Sequence, residues 1–202
     1  EVKDLTVADY IDKKEAKKMD RFIQLGIIAA NEAVKDSGLD TNAIDQTRFG
    51  VVVSSGIGGL GSIETNFEKG TKRGFDRVSP FFIPMTISNL AAGHIAIMHH
   101  AKGLCTCPVT ACAGGTNAIG DAFRNIRDGY QDVMIAGGCE ASITRLGIGG
   151  FTSMKALSES DDASRASIPF DNERNGFVMG EGAGILILEE YEHAKARGAK
   201  IY

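Results

Sequence analysis

Apolar residues recur along this chain at two periods. Met19, Phe22, Ile23, Ala30, Ala33 and Val34 share one face of a 3.6-residue repeat. They predict one helix running from the capping-box spacing Asp12-Lys13-Lys14-Glu15 to Ser37-Gly38. RFGVVVSS predicts a buried strand that enters the glycine-rich SGIGGLGS. Thr86 opens a second helical face of Ile87, Leu90, Ala91, His94, Ile95 and Met98, closed near Lys102-Gly103. GLCTCPVTA reads as a strand, Cys112 starts the next helix with Ile119, Ala122, Phe123 and Ile126 on one side, and DVMIAGG is a strand again. GFVMGEGAGILILEE reads as two short strands joined by a glycine turn, followed by a charged helix through Lys195. Strands alternating with helices of this length predict an α/β fold, a sheet with helices on both faces. There is no internal repeat and no linker, so one domain is expected.

Composition narrows the possible functions. The 202 residues carry a net charge of −4, where a nucleic-acid binder would usually be strongly basic. No run approaches the ~18 to 20 apolar residues of a membrane span, and EVKDLTVADY lacks signal-peptide character. The four cysteines, Cys105, Cys107, Cys112 and Cys139, contain no C-x-x-C pair. That usage fits a reducing, cytoplasmic setting better than a disulfide framework. The first residue is Glu1, which suggests a piece of a longer gene product.

Cys112 is the candidate for chemistry. It falls where an apolar run ends and a helical pattern begins, in VTACAGGTNAIGDA. A free thiol with a pKa near ~8.5 is only a few per cent thiolate at neutral pH. A helix N-terminus is typically worth ~0.3 to 1 kcal/mol, which is less than about one pKa unit. A base is therefore needed to complete the activation. Gly114 and Gly115 leave room for substrate, and the Cys112 N–H is placed to donate to an oxyanion. The competing reading is a small buried hydrophobe. Cys105 and Cys107 share one side of their strand without enough ligands for a metal, and Cys139 is read as packing. SGIGGLGS lacks the G-K-[ST] of a phosphate loop, which weakens a nucleotide-binding reading. Lys14, Lys17, Lys18 and Arg21 fall at i, i+3, i+4 and i+7, a basic stripe on an acidic protein, or simply a solvated face.

Four ordered motifs carry a resemblance: VTACAGGTNAIGDA, DVMIAGGCEA, LGIGGF and FDNERNGFVMGEGAGILILEEYEHAKARGAKIY. They resemble the β-ketoacyl-acyl-carrier-protein synthases, and the likeness extends over essentially the whole chain. It implies a thiolase-like layered αβαβα architecture built from two similar halves. Residues 1–202 would be the N-terminal half without its opening strand, since no run before Asp12 alternates like a strand. The resemblance makes Cys112 the nucleophile and a backbone oxyanion donor in a decarboxylative condensation of an acyl thioester with malonyl-carrier protein. It places Ile57 and Phe151 at the acyl pocket, and Lys14, Lys17, Lys18 and Arg21 at the docking site for an acidic acyl carrier protein. It also implies a homodimer through GLCTCPVTA and SPFFIP. No metal or organic cofactor is implied beyond the phosphopantetheine arm that the carrier brings.

The family's two histidine motifs, its lysine and its F-G-F-G-G-T-N turn do not occur here, and a sheet without its opening strand leaves backbone groups unpaired and apolar surface bare, so the isolated residues are expected not to form a stable, active enzyme. Gly114 departs from the Thr or Ser more common in the family. The alternatives are a polyketide ketosynthase, a thiolase-type acyltransferase, or a non-catalytic partner of the chain-length-factor kind. Cys112 argues against the last.

Overall fold

A computed structural model describes all residues, 1–202. The first predicted helix is two. Asp12 accepts from the Lys14 and Glu15 N–H groups and starts α1 (Lys13–Ala16), but the chain leaves the helix at Lys17. It restarts as α2 (Arg21–Ser37) with Asp20 as cap, accepting from the Phe22 N–H. The break has a tertiary cause. Asp20 is buried, and its second oxygen accepts from both the N–H and the hydroxyl of Ser62, at 2.9 and 2.6 Å. Those bonds hold residue 20 in an extended conformation (ψ 162°), which no helix can run through. Gly38 closes α2 in the left-handed region, φ 62°, as its position predicted.

RFGVVVSS becomes β1 (Phe49–Ser54), buried along its full length. After the glycine-rich loop come α3 (Leu60–Arg73), α4 (Phe82–Thr86) and α5 (Leu90–Met98). Thr86 therefore ends one short helix and does not open the next. The strand expected from GLCTCPVTA shrinks to β2 (Cys105–Thr106), because Pro108 has no N–H to extend the ladder. The chain continues through α6 (Gly114–Arg127), β3 (Val133–Glu140), α7 (Arg145–Ser153), β4 (Gly182–Glu189) and α8 (Tyr191–Ala196).

The sheet order is β2-β1-β3-β4, with β1 parallel to β2 and β3, and β4 antiparallel to β3. Here too the structure corrects an expectation. Gly182 and Gly184 lie inside one continuous strand that pairs with β3 from Glu140↔Gly182 to Val133↔Glu189. Phe177 makes only an isolated bridge to Leu157. Gly137, at φ 156°, lets the Gly184 backbone approach, since a Cβ at 137 would lie 3.0 Å from Ile185 Cα.

Helices cover both faces, as the alternation predicted. On one, α2 and α5 contribute Phe22, Ile23, Ile27 and Ile95 against Phe49, Val51, Val53, Val133 and Ile135. On the other, Ala118 and Ala122 of α6 pack on Val52, Met134 and Ala136. No helix is long and apolar enough to cross a membrane. Apolar side chains that remain exposed include Ile97, Val109, Phe123 and Leu146.

Candidate active site

Cys112 does not begin α6. It sits in a tight turn, Ala111–Ala113, that feeds into the helix at Gly114. Ala111 has φ 50°, a left-handed conformation that costs a non-glycine residue about 1–2 kcal/mol. Such strain persists only when the surroundings over-determine it, and they do. Ser54, at the end of β1, donates to the Pro108 carbonyl at 2.6 Å and fixes the segment entering the turn. Thr110 Oγ1 lies 3.0 Å from Asn117 Oδ1 and ties the turn to α6. Gly114 packs so closely on Ser54 that a Cβ there would collide with Ser54 Oγ and come within 3.0 Å of Ser54 Cβ. Gly115 and Gly138 also meet, less tightly: a Cβ at 138 would lie 3.2 Å from Gly115 Cα. The first turn of α6 is thus seated on the C-terminal ends of β1 and β3, and it presents an exposed Cys112 just ahead of a helix N-terminus.

The other three cysteines are less suited to act as thiolates. Burial pushes the Cys139 thiol far up, and it packs on α2 where a Gly26 Cβ would lie 3.0 Å from its sulfur. Burial also raises Cys105 and Cys107, and Cys107 faces the Ser88 carbonyl at 3.6 Å. No group of three or more His, Cys, Asp or Glu side chains is arranged to hold a metal ion.

His99, His100 and His193 stand away from the Cys112 end of the sheet. His193 bonds Glu189 at 2.5 Å, beside the Val133 end of β3. His99 and His100 follow α5 just before Gly103, whose N–H donates to the Phe49 carbonyl at the start of β1. Cys112 lies by Ser54 and Gly138, the opposite ends of both strands. His94 lies within α5, and burial lowers the pKa values of His94 and His99.

Ile57 stands in the loop after β1, and its side chain is exposed. The loop borders the cysteine turn, since a Cβ at Gly56 would lie 3.8 Å from the Ala111 carbonyl. Phe151 sits on α7 with its ring edge-on to Phe177, centroids 5.2 Å apart. The structure dismantles the expected basic stripe. Lys14 lies in α1, Lys17 caps it, and Lys18 pairs with Glu15 at 2.6 Å and lies over the Phe81 ring. Arg21 belongs to α2, where its guanidinium grips the buried Glu181 carboxylate at 2.9 and 2.7 Å. The helix break at residues 17–20 is the reason. Sequence reasoning missed Ser54 and also Glu140, whose carboxylate accepts from the Gly56 and Ile57 N–H groups; their one visible signal is a polar residue closing an apolar strand beside a glycine-rich turn.

A four-stranded sheet layered with helices, carrying a strained cysteine turn over its strand ends, matches the thiolase-like ketosynthase class of α/β protein. Residues 6–194 match the family described as "Beta-ketoacyl synthase, N-terminal domain", and the chain belongs to that family. It is 52% identical over 202 residues to the 3-oxoacyl-[acyl-carrier-protein] synthase 2 of Staphylococcus aureus, covering all of this chain and 50% of that protein. The chain spans about half the length of the curated relatives it matches. Among solved structures, the ishigamide ketosynthase/chain length factor superposes with a TM-score of 0.88 at 30% identity, over 98% of this chain and 48% of that one. A type II polyketide-synthase acyl-carrier protein in complex with its ketosynthase, bound to the hexaketide, gives a TM-score of 0.80 at 27% identity, covering 98% and 55%.

Proposed function

We propose that the complete protein is a condensing acyltransferase of fatty-acid elongation, with Cys112 as its nucleophile. The observation that carries this reading is the exposed Cys112 in a strained, over-determined turn ahead of α6. The Cys112 sulfur attacks the carbonyl carbon of a carrier-bound acyl thioester. A new C–S bond forms, and the carrier's phosphopantetheine sulfur leaves and takes up a proton. The α-carbon of malonyl-carrier protein then loses carbon dioxide and attacks the acyl-Cys112 carbonyl. A C–C bond forms, and the cysteine sulfur departs with the electron pair of the broken C–S bond. The base and the groups that assist decarboxylation are assigned to the part of the protein outside residues 1–202, since the family's histidine and lysine motifs do not occur in this chain. The isolated residues are accordingly inactive.

The same reading assigns Ile57 and Phe151 to the acyl pocket and gives the protein a second copy of itself and an acyl carrier protein as partners. It requires no cofactor beyond the carrier's own arm and places the reaction in the cytoplasm. Docking rests on Lys14, Lys17 and Lys18, with Arg21 already committed to Glu181. The 52% identity to a 3-oxoacyl-[acyl-carrier-protein] synthase 2 supports fatty-acid over polyketide substrates.

The test is acyl transfer from an acyl-carrier protein to the full-length gene product, located by peptide mass spectrometry. Acyl mass on the peptide containing Cys112, and on no other cysteine, is the expected result. A folded protein that takes up no acyl group would overturn the reading in favour of a non-catalytic partner.

A further inference from the structure

At the end of β3, the Glu140 carboxylate collects four hydrogen bonds. Oε2 accepts from the Gly56 and Ile57 N–H groups at 2.8 and 2.9 Å. Oε1 accepts from the Ser55 and Ser142 hydroxyls at 3.2 and 3.1 Å. The Ser55 oxygen in turn accepts from the Gly58 N–H at 3.1 Å. Every residue from 55 to 58 is therefore bound to Glu140, directly or through one hydroxyl. The arrangement is a nest of backbone donors, a concavity that favours an anion, with the anion supplied by the neighbouring strand. Gly56 lies between the two sites: a Cβ there would lie 3.0 Å from Glu140 Oε2 on one side and in ordinary contact, 3.8 Å, with the Ala111 carbonyl on the other.

Ile57 is 40% exposed, so packing does little to fix it. Its position follows its backbone, and its backbone follows Glu140. We infer that Glu140 is a positioning residue for acyl-chain length: it fixes how far Ile57 projects and so how long an acyl group the site accepts. This rests on the proposed function, with Ile57 as a wall of the acyl pocket. Glu140 acts on the acyl chain only through the loop that carries Ile57. Its negative charge matters because a glutamine of the same shape would present an NH2 group to two of the four donors.

The experiment uses the full-length protein as wild type, Glu140→Gln and Ser55→Ala. kcat/KM is measured for saturated acyl thioesters of increasing length, together with the rate at which iodoacetamide alkylates Cys112. Charge-assisted hydrogen bonds are the strong ones, so loosening the loop by Glu140→Gln should raise the long-to-short selectivity ratio about tenfold. Alkylation should stay within about twofold of wild type, because the turn is held separately by Ser54. Ser55→Ala removes one Glu140 donor and the acceptor of the Gly58 N–H, so it should shift the ratio in the same direction by less. If Glu140→Gln does not fold, Ser55→Ala decides by the same criterion. A uniform loss of rate at every length, with the ratio unchanged, would make Glu140 a purely structural residue and overturn the inference. Failure of the wild type to acylate Cys112 would instead overturn the proposed function, and this inference with it.

Discussion

Ser54 and Gly114 compete for one volume, and that makes the Gly114→Ala substitution informative. Gly114 has φ −54° and ψ −46°, ordinary right-handed geometry, so alanine meets no backbone strain there. Helix propensity would even favour alanine by up to about 1 kcal/mol. Against this, the new methyl collides with Ser54 Oγ and sits 3.0 Å from Ser54 Cβ. Ser54 is 3% exposed and its hydroxyl is held at 2.6 Å by the Pro108 carbonyl, so it cannot rotate away freely. Overpacking costs about 1–3 kcal/mol, and losing the Ser54 hydrogen bond adds about 1 kcal/mol. The clash wins, with a net cost of about 2 kcal/mol. Ser54→Gly alone should cost about 1–2 kcal/mol, from the lost bond and a glycine within a strand. The double variant should be scarcely less stable than Ser54→Gly, a coupling of about 2 kcal/mol between the two positions. Urea midpoints of the four full-length proteins measure the cycle, and Cys112 alkylation rates should follow the same order. Additive losses would refute the argument that the two side chains exclude one another.

Other expectations follow from the same geometry. Replacing Ile57 with Phe should shorten the longest acyl group accepted in a chain-length assay, and an unchanged profile would remove Ile57 from the pocket. Reversing the charge at Lys14, Lys17 and Lys18 should raise KM for carrier-bound substrate while leaving small thioesters nearly unaffected. The exposed Lys69, Lys72 and Arg73 at the end of α3 provide the comparison, and a larger effect there would relocate the docking site. Arg48 grips Asp132 through two bonds of 2.6 Å and holds its carboxyl below the ordinary value of 3.8. With side chains 38% and 30% exposed, Asp132→Asn should cost no more than about 1 kcal/mol at pH 7. A carboxyl depressed in the folded state contributes its full stability above its ordinary value and loses it as pH falls through the depressed one. The urea midpoints of wild type and Asp132→Asn should therefore converge in acid, and a gap that persisted there would rule out the ion pair as its source.

Much of the fold was legible because local chemistry encodes it. The continuous apolar run of β1, the run of β3, the left-handed Gly38 and the turn at Cys112 each follow from a few neighbouring residues. The site was only partly legible. Cys112 stands out at a turn beside glycines and Ile57 was named only through the family resemblance, whereas Glu140 and Ser54 look like ordinary strand-end residues until their partners are known. The single-helix geometry of the basic stripe was lost for a comparable reason, since i, i+7 spacing has meaning only if one helix spans it.

The sequence by itself determined the α/β class, the two central strands and the position of the candidate nucleophile, because periodicity and turn chemistry act over a few residues. Tertiary structure alone decided the rest. It broke the first helix where Ser62 captures Asp20, 42 residues away. It drew Gly182 and Gly184 into one strand by pairing them with Glu140 and Gly138. It brought Glu140 beneath a loop 85 residues distant in the chain, and Ser54 against the helix that follows Cys112. Hydrogen bonds and excluded volume depend on distance in space, and no local pattern in the chain records which distant residues will meet.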